Sequence, residues 1–286
     1  MLLIDIEEYR IVFLKLMYIT NNPQVALIAE KYGVDRIWID LETLGKEERQ
    51  KNMDTVKSNH KIEDITLIKP MLSSAELLVR VNPWNETSPR EIEEVIAAGA
   101  DMIMLPMWKD AETVQKFVSQ VRGRAKTTLL LETKEAVECI DSVLDCTEFN
   151  EIHIGLNDLH LSYGLSFMFE LLSNGTVEML CNKFKKKCIP YGFGGIAKIG
   201  DGLLPAEKII MEHYRMGSTR AILSRSFCNT DIVKNLEDID SCFKNNMRDL
   251  INYENNMMLC TEKEYKENQR DIESIVKSII SKNKED

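Results

Sequence analysis

The sequence lacks the features that mark a membrane-spanning, secreted or zinc-binding protein. No stretch approaches the roughly 18 to 20 consecutive apolar residues that a membrane span requires. The N-terminal segment carries Asp5, Glu7 and Glu8 where a signal peptide needs a basic flank and an apolar run. The seven cysteines are odd in number and show no C-x-x-C spacing, which favours reduced thiols over disulfides or zinc. We therefore expect a cytoplasmic protein with no membrane partner.

Basic clusters are also missing. The chain has 36 Lys and Arg against 46 Asp and Glu, a formal net charge of −10. A chain this acidic is not expected to take nucleic acid or an anionic membrane as its main partner. Hydrophobic residues make up 44% of the sequence, which is ordinary globular usage and predicts a packed core rather than disorder.

Short, continuous apolar runs alternate with longer amphipathic stretches. Runs such as MIML and TTLLL are typical of strands buried on both faces of a parallel sheet. Eight strand–helix units in roughly 250 residues predict a (β/α)8 TIM barrel. A doubly wound sheet is the alternative, but no G-x-G-x-x-G follows the first run. The predicted strands are Ile11–Ile19, Arg36–Leu41, Leu77–Val81, Met102–Pro106, Thr127–Leu131, Ile152–Gly155, Ile189–Phe193 and Thr219–Ser224.

The pattern changes near the end of the chain. We predict a barrel domain over residues 1–228 and additional C-terminal helices over 229–286, among them Ile251–Met258 and Arg270–Ile280. The last of these has a stripe of isoleucine and valine along one face. This stripe either closes the bottom of the barrel or packs on a neighbouring subunit, so we expect a homo-oligomer.

Charged residues follow several of the predicted strands. Side chains at the carboxyl ends of barrel strands converge on one mouth, where catalytic groups lie. Charged groups at the ends of buried strands are unusual unless they are paired or bind a metal. The candidates are Asp40 and Glu42 after the second strand, Arg80 after the third, Glu132 after the fifth and Asp158 after the sixth.

Glu132 and Asp158 predict a divalent-cation site. They end consecutive strands, which lie about 4.8 Å apart when paired, and a cation between the two carboxylates would relieve their repulsion. The alternative is that each carboxylate caps a helix. Arg80 offers paired donors for a carboxylate or enolate oxygen, and could also pair with Asp40 or Glu42.

A weaker signal follows the last two strands. Gly194 and Gly195 come after the seventh strand, and Arg225 follows the eighth. TIM barrels often bind phosphate at this place, so these residues are candidates for an anionic substrate tail. The alternatives are a tight turn at the glycines and an ion pair of Arg225 with a surface acid.

Four histidines could take part in proton transfer. His160 closely follows Asp158 and could reach the mouth. His60 lies in the long connection before the third strand, which could arch over the mouth. We interpret His153, inside the sixth strand, as a core residue and His213 as a solvated residue of an outer helix.

Five blocks of sequence together resemble the HpcH/HpaI aldolase and citrate lyase β-subunit family of phosphoenolpyruvate/pyruvate-type barrels. They fall in the family's order over about residues 10–225. The blocks are IDLE at Ile39–Glu42, VRVNP at Val79–Pro83, GADMIMLPM at Gly99–Met107, LLLETKEAV at Leu129–Val137 and IHIGLNDL at Ile152–Leu159.

The resemblance implies a carbon–carbon lyase or aldolase that acts on a pyruvate-like 2-oxo acid with an aldehyde or acyl co-substrate. It also implies that Glu132 and Asp158 hold Mg²⁺ or Mn²⁺ and that Arg80 binds the substrate. Asp40 and Glu42 match the family's acidic residues after the second strand. Lys46 and Arg49 loosely resemble a Lys and an Arg of citrate lyase-like members.

One residue departs from the aldolase pattern. Thr43 stands where the aldolase branch has a histidine that transfers a proton, and threonine cannot act as a general base near neutral pH. Citrate lyase-like members also lack that histidine. A citrate lyase-like acyl-CoA lyase or thioesterase, and a non-catalytic barrel that lost its base, are therefore the rival hypotheses.

Overall fold

Eight parallel strands close into a barrel in chain order, which confirms the predicted TIM barrel. The computed structural model describes residues 13–45, 59–257 and 259–282, so the first residues of the predicted Ile11–Ile19 strand lie outside the described chain. The strands are β1 Lys15–Ile19, β2 Arg36–Asp40, β3 Glu76–Arg80, β4 Met102–Leu105, β5 Lys126–Leu131, β6 Glu151–Ile154, β7 Tyr191–Ile196 and β8 Arg220–Leu223.

Helices cover the outside of this barrel. Pro89 lies in the first turn of the helix Ser88–Ala98. Gly99 ends this helix, and Gly217 ends the helix Ala206–Met216, both in the left-handed conformation that glycine adopts without strain. A short 3₁₀ turn spans Lys69–Met71. The helices are α1 Pro23–Lys31, α2 Ile62–Ile68, α3 Ser88–Ala98, α4 Ala111–Val121, α5 Lys134–Cys146, α6 Leu156–Ser162, α7 Glu170–Ser173, α8 Thr176–Lys186, α9 Ala206–Met216, α10 Leu236–Met257 and α11 Glu262–Lys282.

The barrel wall separates two apolar layers, which explains why the strands are apolar at successive positions. Outward side chains such as Ile37, Val79 and Ile103 pack beneath the helices in the larger cluster. Inward side chains fill the barrel itself, so its centre is a packed core and not a pore. The inner cluster consists of Met17, Trp38, Leu78, Met102, Met104 and Leu130.

A network of charged side chains, which we name the base layer, closes the amino-terminal end of the barrel. It consists of Arg36, Glu76, Lys126, Glu151 and Arg220. Glu151 accepts hydrogen bonds from Arg36 Nη2 at 3.0 Å and Arg220 Nε at 2.6 Å, and Glu76 accepts from Arg36 Nε at 2.8 Å and from Lys126. Burial opposes ionisation of Glu76, but the bonds from Lys126 and Arg36 lower its pKa to about 2.

The C-terminal helices begin earlier than the sequence pattern indicates. Helix α10 starts at Leu236 and packs against α1 and α9, so it fills the eighth place in the helical ring. The predicted boundary at residue 228 therefore separates β8 from the helix that follows it in the barrel. Helix α11 lies against α9 and α7, where Ile272 and Val276 are buried on their own chain. The homo-oligomer stays a prediction.

No helix in the described part of the chain combines the length and the apolar character needed to cross a membrane.

Candidate active site

Arg80 lies at the carboxyl end of β3, directly opposite Asp40 on β2. Its Nε and Nη2 atoms donate to the two carboxylate oxygens of Asp40 at 2.8 and 2.9 Å, and Nη1 lies 3.1 Å from Glu42 Oε2. The guanidinium carbon is 5.3 Å from the centre of the Trp38 ring. Burial disfavours the charge, but Asp40 and Glu42 outweigh it and raise the pKa of Arg80. Arg80 is thus a fixed cation at the mouth.

Glu132 is almost completely buried just after β5, with 2% of its surface exposed. Its Oε1 accepts the backbone N–H of Met107 at 3.0 Å. The helix-cap interpretation of Glu132 is wrong, because Thr133 caps α5 by accepting the N–H of Ala136 at 3.1 Å. Burial, followed by the neighbouring carboxylate of Asp158, raises the pKa of Glu132 well above its ordinary value.

Asp158 lies half-buried in the first turn of α6, close enough to Glu132 to oppose its ionisation. Gly155 makes this approach possible. A Cβ atom at position 155 would lie 3.0 Å from both Cβ and Oε2 of Glu132, which is tighter than most real Cβ contacts. Glycine at the end of β6 therefore leaves room for the Glu132 carboxylate.

The structure brings together all five charged residues that the sequence placed at the mouth. Among the described residues, the mouth holds four carboxylates and the guanidinium of Arg80. Burial and the neighbouring Asp158 carboxylate disfavour a negative charge on Glu132 unless a proton or a cation offsets it. The mouth is therefore poised to take up positive charge.

The donor set at the mouth suits a hard cation. Within residues 13–45, 59–257 and 259–282, no cluster of three or more His, Cys, Asp or Glu side chains is arranged to hold a metal ion. Mg²⁺ needs fewer protein ligands, because it binds one or two carboxylates and completes its shell with water and substrate oxygens. Glu132 and Asp158 fit this requirement.

The backbone at Thr43 and Leu44 is held by the side chain of Asn82. Asn82 Oδ1 accepts the backbone N–H groups of Thr43 and Leu44 at 2.9 and 3.0 Å. Thr43 is exposed, and no ionisable group replaces the missing histidine at this position. Lys46 and Arg49, which loosely matched citrate lyase-like members, lie outside the described residues.

His60 is the histidine that the structure places beside the acidic strand end. Its Nδ1 accepts the backbone N–H of Asp40 at 2.9 Å, so a neutral ring carries its proton on Nε2. From the sequence, His60 could be placed only in a long connection that could arch over the mouth. The length of that connection was the signal in the sequence, but it does not indicate which of its residues reaches the mouth.

The other histidines have different environments. His160 is buried, and its Nδ1 donates to Leu156 O of its own helix at 3.2 Å. His153 Nε2 donates to Gly194 O at 3.1 Å inside the barrel, as expected of a core residue. The interpretation of His213 as a solvated residue is wrong. Its ring is fully buried and stacks on the Phe193 ring, with 3.8 Å between the two ring centres.

The glycines assigned to an anion loop lie within a strand. Strand β7 runs to Ile196 and contains Gly194 and Gly195, because a register shift between Gly192 and Gly195 lets pairing with β8 continue. Gly194 has a φ of +54°, and its carbonyl accepts from His153. The predicted end of the seventh strand at Phe193 is therefore wrong. Arg225 lies exposed after β8, and the anionic-tail role of these residues stays a prediction.

Fold and site together define a TIM barrel whose mouth gathers carboxylates around one arginine. A model of the HpcH/HpaI aldolase/citrate lyase family matches residues 14–169, more than half of the chain. The chain belongs to this family, whose members are lyases, aldolases and citrate synthase-like enzymes and are generally dependent on a divalent metal. None of the curated proteins compared with the chain matches it significantly.

Solved structures show the same fold at low sequence identity. An HpcH/HpaI aldolase from Desulfitobacterium hafniense DCB-2 is 17% identical, with 74% of this chain and 86% of that chain covered and a TM-score of 0.56. An HpcH/HpaI aldolase/citrate lyase family protein from Burkholderia cenocepacia J2315 is 12% identical, with 79% of this chain and 95% of that chain covered and a TM-score of 0.58. Citrate synthase SbnG is 17% identical, with 74% of this chain and 86% of that chain covered and a TM-score of 0.55.

Proposed function

We propose that this protein is a divalent-metal-dependent carbon–carbon lyase or aldolase that acts on a pyruvate-like 2-oxo acid. The observation that carries the proposal is the Glu132 carboxylate, buried beside Asp158 with a raised pKa and an arginine nearby. A carboxyl whose ionisation is opposed by burial and by a second carboxylate is suited to bind a cation, because the cation offsets both effects. Family membership supports the reaction class.

Glu132 and Asp158 are the residues that would hold Mg²⁺ or Mn²⁺. When bound, such an ion supplies Lewis-acid stabilisation of negative charge on the 2-oxo oxygen. Glu132 is held for this role by the N–H of Met107, which fixes Oε1 and leaves Oε2 beside Gly155.

Arg80 orients the substrate. A guanidinium has five N–H groups, and three of those on Arg80 point at the carboxylates of Asp40 and Glu42. One N–H on each terminal nitrogen remains for a substrate carboxylate or a developing enolate oxygen. Because Asp40 and Glu42 fix the guanidinium in advance, little reorganisation is needed as charge develops.

His60 moves the proton in this proposal. Its Nδ1 accepts the backbone N–H of Asp40, which holds the ring beside the acidic end of β2, and an imidazole there is a suitable group for general acid–base chemistry. His160, the sequence-based candidate, has Nδ1 engaged with its own helix. Substituting His60 by Gln is expected to lower kcat about 100-fold with Mn²⁺ affinity unchanged. A larger loss in His160→Gln would reverse the assignment.

The test of the metal site is turnover of pyruvate or oxaloacetate with Mn²⁺ before and after Glu132→Gln. Gln keeps an acceptor for Met107 N–H but loses the charge, so turnover is expected to fall about 100-fold or more. Glu135→Gln is the matched control, since Glu135 lies in the first turn of α5 and forms a surface ion pair with Lys109. Equal rates in wild type and Glu132→Gln would sink the proposal.

A citrate lyase-like acyl-CoA activity is the second candidate. Thr43, exposed and bonded to Asn82, favours it because citrate lyase-like members also lack the histidine at this position. Calorimetry with a CoA thioester distinguishes the two candidate functions. Binding supports an acyl-CoA substrate, and the absence of binding supports a free 2-oxo acid as the substrate.

A further inference from the structure

A cavity of about 390 Å³ opens at the amino ends of β1, β7 and β8, at the opposite end of the barrel from the mouth. Its charged lining residues are Lys15, Lys185 and Arg220, and among the described residues that line it there is no carboxylate. Ile189 and Pro190 give it an apolar wall. This is a local excess of positive charge in a protein whose net charge is −10.

Lys15 and Arg220 are placed against each other by the strand register. They are directly paired positions on β1 and β8, so their side chains leave the barrel wall on the same face. Like charges at directly opposite positions destabilise a sheet. An anion between the two side chains would remove this repulsion.

The base layer cannot neutralise Lys15. Its two carboxylates are already shared, since Glu151 binds Arg36 and Arg220 while Glu76 binds Arg36 and Lys126. Across the described ranges of the chain, neither Lys15 nor Lys185 forms an ion pair. Lys15 is therefore a fourth cation beside the base layer, whose two carboxylates already bind the other three cations.

Arg220 retains donors for a ligand. Its Nε donates to Glu151 and its Nη1 to Thr219, while Nη2 has no hydrogen bond within the described chain. A guanidinium edge and two ammonium groups are the donors that bind phosphate oxygens in proteins. The cavity volume lies in the range of small-molecule sites.

Lys185 also has a structural role that must be separated from binding. It lies in the last turn of α8, where cations favour the helix dipole. Lys186 shares that turn and is exposed, but it does not line the cavity. Lys186 is therefore the matched control.

We propose that this cavity is a binding site for a small organic phosphate, with the phosphate group between Lys15, Lys185 and Arg220 and an apolar body against Ile189 and Pro190. The site is separate from the mouth and does not depend on the proposed lyase activity.

The test is calorimetric titration of the full chain with phenyl phosphate and with inorganic phosphate at matched ionic strength. Wild type and Lys186→Met are expected to bind phenyl phosphate equally, and Lys15→Met and Lys185→Met about tenfold more weakly. Phenyl phosphate is expected to bind more tightly than inorganic phosphate, because only the former has an apolar body. Absence of binding, or binding insensitive to both substitutions, overturns the proposal.

Thermal unfolding gives a second, independent readout. Without phosphate, Lys15→Met is expected to unfold at a temperature no lower than wild type, because it removes a repulsion. Added phenyl phosphate is expected to raise the Tm of wild type and Lys186→Met more than that of Lys15→Met. An equal rise in all three proteins contradicts a site at Lys15.

Discussion

At the residue scale, burial sets the chemistry of the side chains that matter most. Glu132 and Glu76 are both carboxylates of the barrel interior, yet their pKa values move in opposite directions. Burial raises the pKa of both carboxyl groups. Asp158 adds to this rise at Glu132, whereas hydrogen bonds from Lys126 and Arg36 outweigh it at Glu76 and lower the pKa of Glu76 to about 2. The neighbours, and not the residue type, decide which carboxylate is available to a cation.

His213 shows the same principle for an imidazole. Its ring is fully buried, Nδ1 lies 2.7 Å from Ser218 Oγ, and Nε2 has no hydrogen-bond partner within the described chain. Burial, with a smaller contribution from His153, lowers the pKa of His213 from 6.5 to about 3. Protonation would place an uncompensated charge in the core.

We predict that His213 makes the protein acid-sensitive. Between pH 6.5 and 3 the unfolded chain binds the proton more readily than the folded chain, so stability is complete above pH 6.5 and declines as the pH falls. The decline attributable to His213 is expected to reach about 1 kcal/mol per pH unit. Urea unfolding at pH 7.5 and pH 5 would measure it.

His213→Gln is the comparison for this experiment. Gln can bond Ser218 but does not titrate in this range, so the variant is expected to lose less stability between the two pH values than wild type does. The same loss in both proteins would show that other groups cause the acid sensitivity.

At the element scale, strand β7 explains why its glycines are spaced as they are. The register shift between Gly192 and Gly195 places Gly194 in the left-handed region, with a φ of +54°. A Cβ at position 194 would lie 2.7 Å from Leu156 Cδ1, the residue that begins α6. The glycine thus allows β7 and α6 to approach beside the mouth.

We predict that Gly194→Ala destabilises the protein by about 3 kcal/mol, from backbone strain and overpacking together. Gly200→Ala is the control, because Gly200 also has a positive φ, +81°, but no atom lies within 4 Å of the added methyl group. It is expected to cost about 1 kcal/mol. Chemical denaturation of both variants checks the difference, and equal costs would contradict the steric explanation.

At the scale of the whole molecule, the barrel has two chemically distinct ends. The carboxyl end gathers acids around Arg80, and the amino end gathers cations around Glu76 and Glu151. Helices α10 and α11 cover the outside of the same barrel, with α10 as the eighth helix of the ring. The chain beyond residue 228 is therefore part of the barrel's packing.

We predict that Ile272→Ala in α11 destabilises the protein by about 3 kcal/mol, since Ile272 is 2% exposed and its loss leaves a cavity against the barrel. Leu259→Ala is the matched control, because Leu259 is 79% exposed between α10 and α11. It is expected to change stability by less than about 0.5 kcal/mol. Thermal unfolding at two protein concentrations measures both variants, and an Ile272→Ala effect that vanishes on dilution would indicate packing on a second subunit instead.

The eight strands and the charged groups at their ends can be read from the amino-acid sequence alone. Both are local signals, because a strand buried on two faces needs a continuous apolar run and a barrel mouth collects whatever follows each run. Asp40, Glu42, Arg80, Glu132 and Asp158 were predicted at the mouth in this way, and the structure brings them together.

Features that depend on contacts between residues far apart in the chain can be seen only in the folded protein. The bond between Arg36 and Glu151 spans 115 positions, and that between Asp40 and His60 crosses a connection with no readable pattern. The burial of His213 and the start of α10 likewise depend on which neighbours cover them. Periodicity reports the face of an element that is apolar, whereas the partner of a charged or aromatic group is fixed only when the barrel closes.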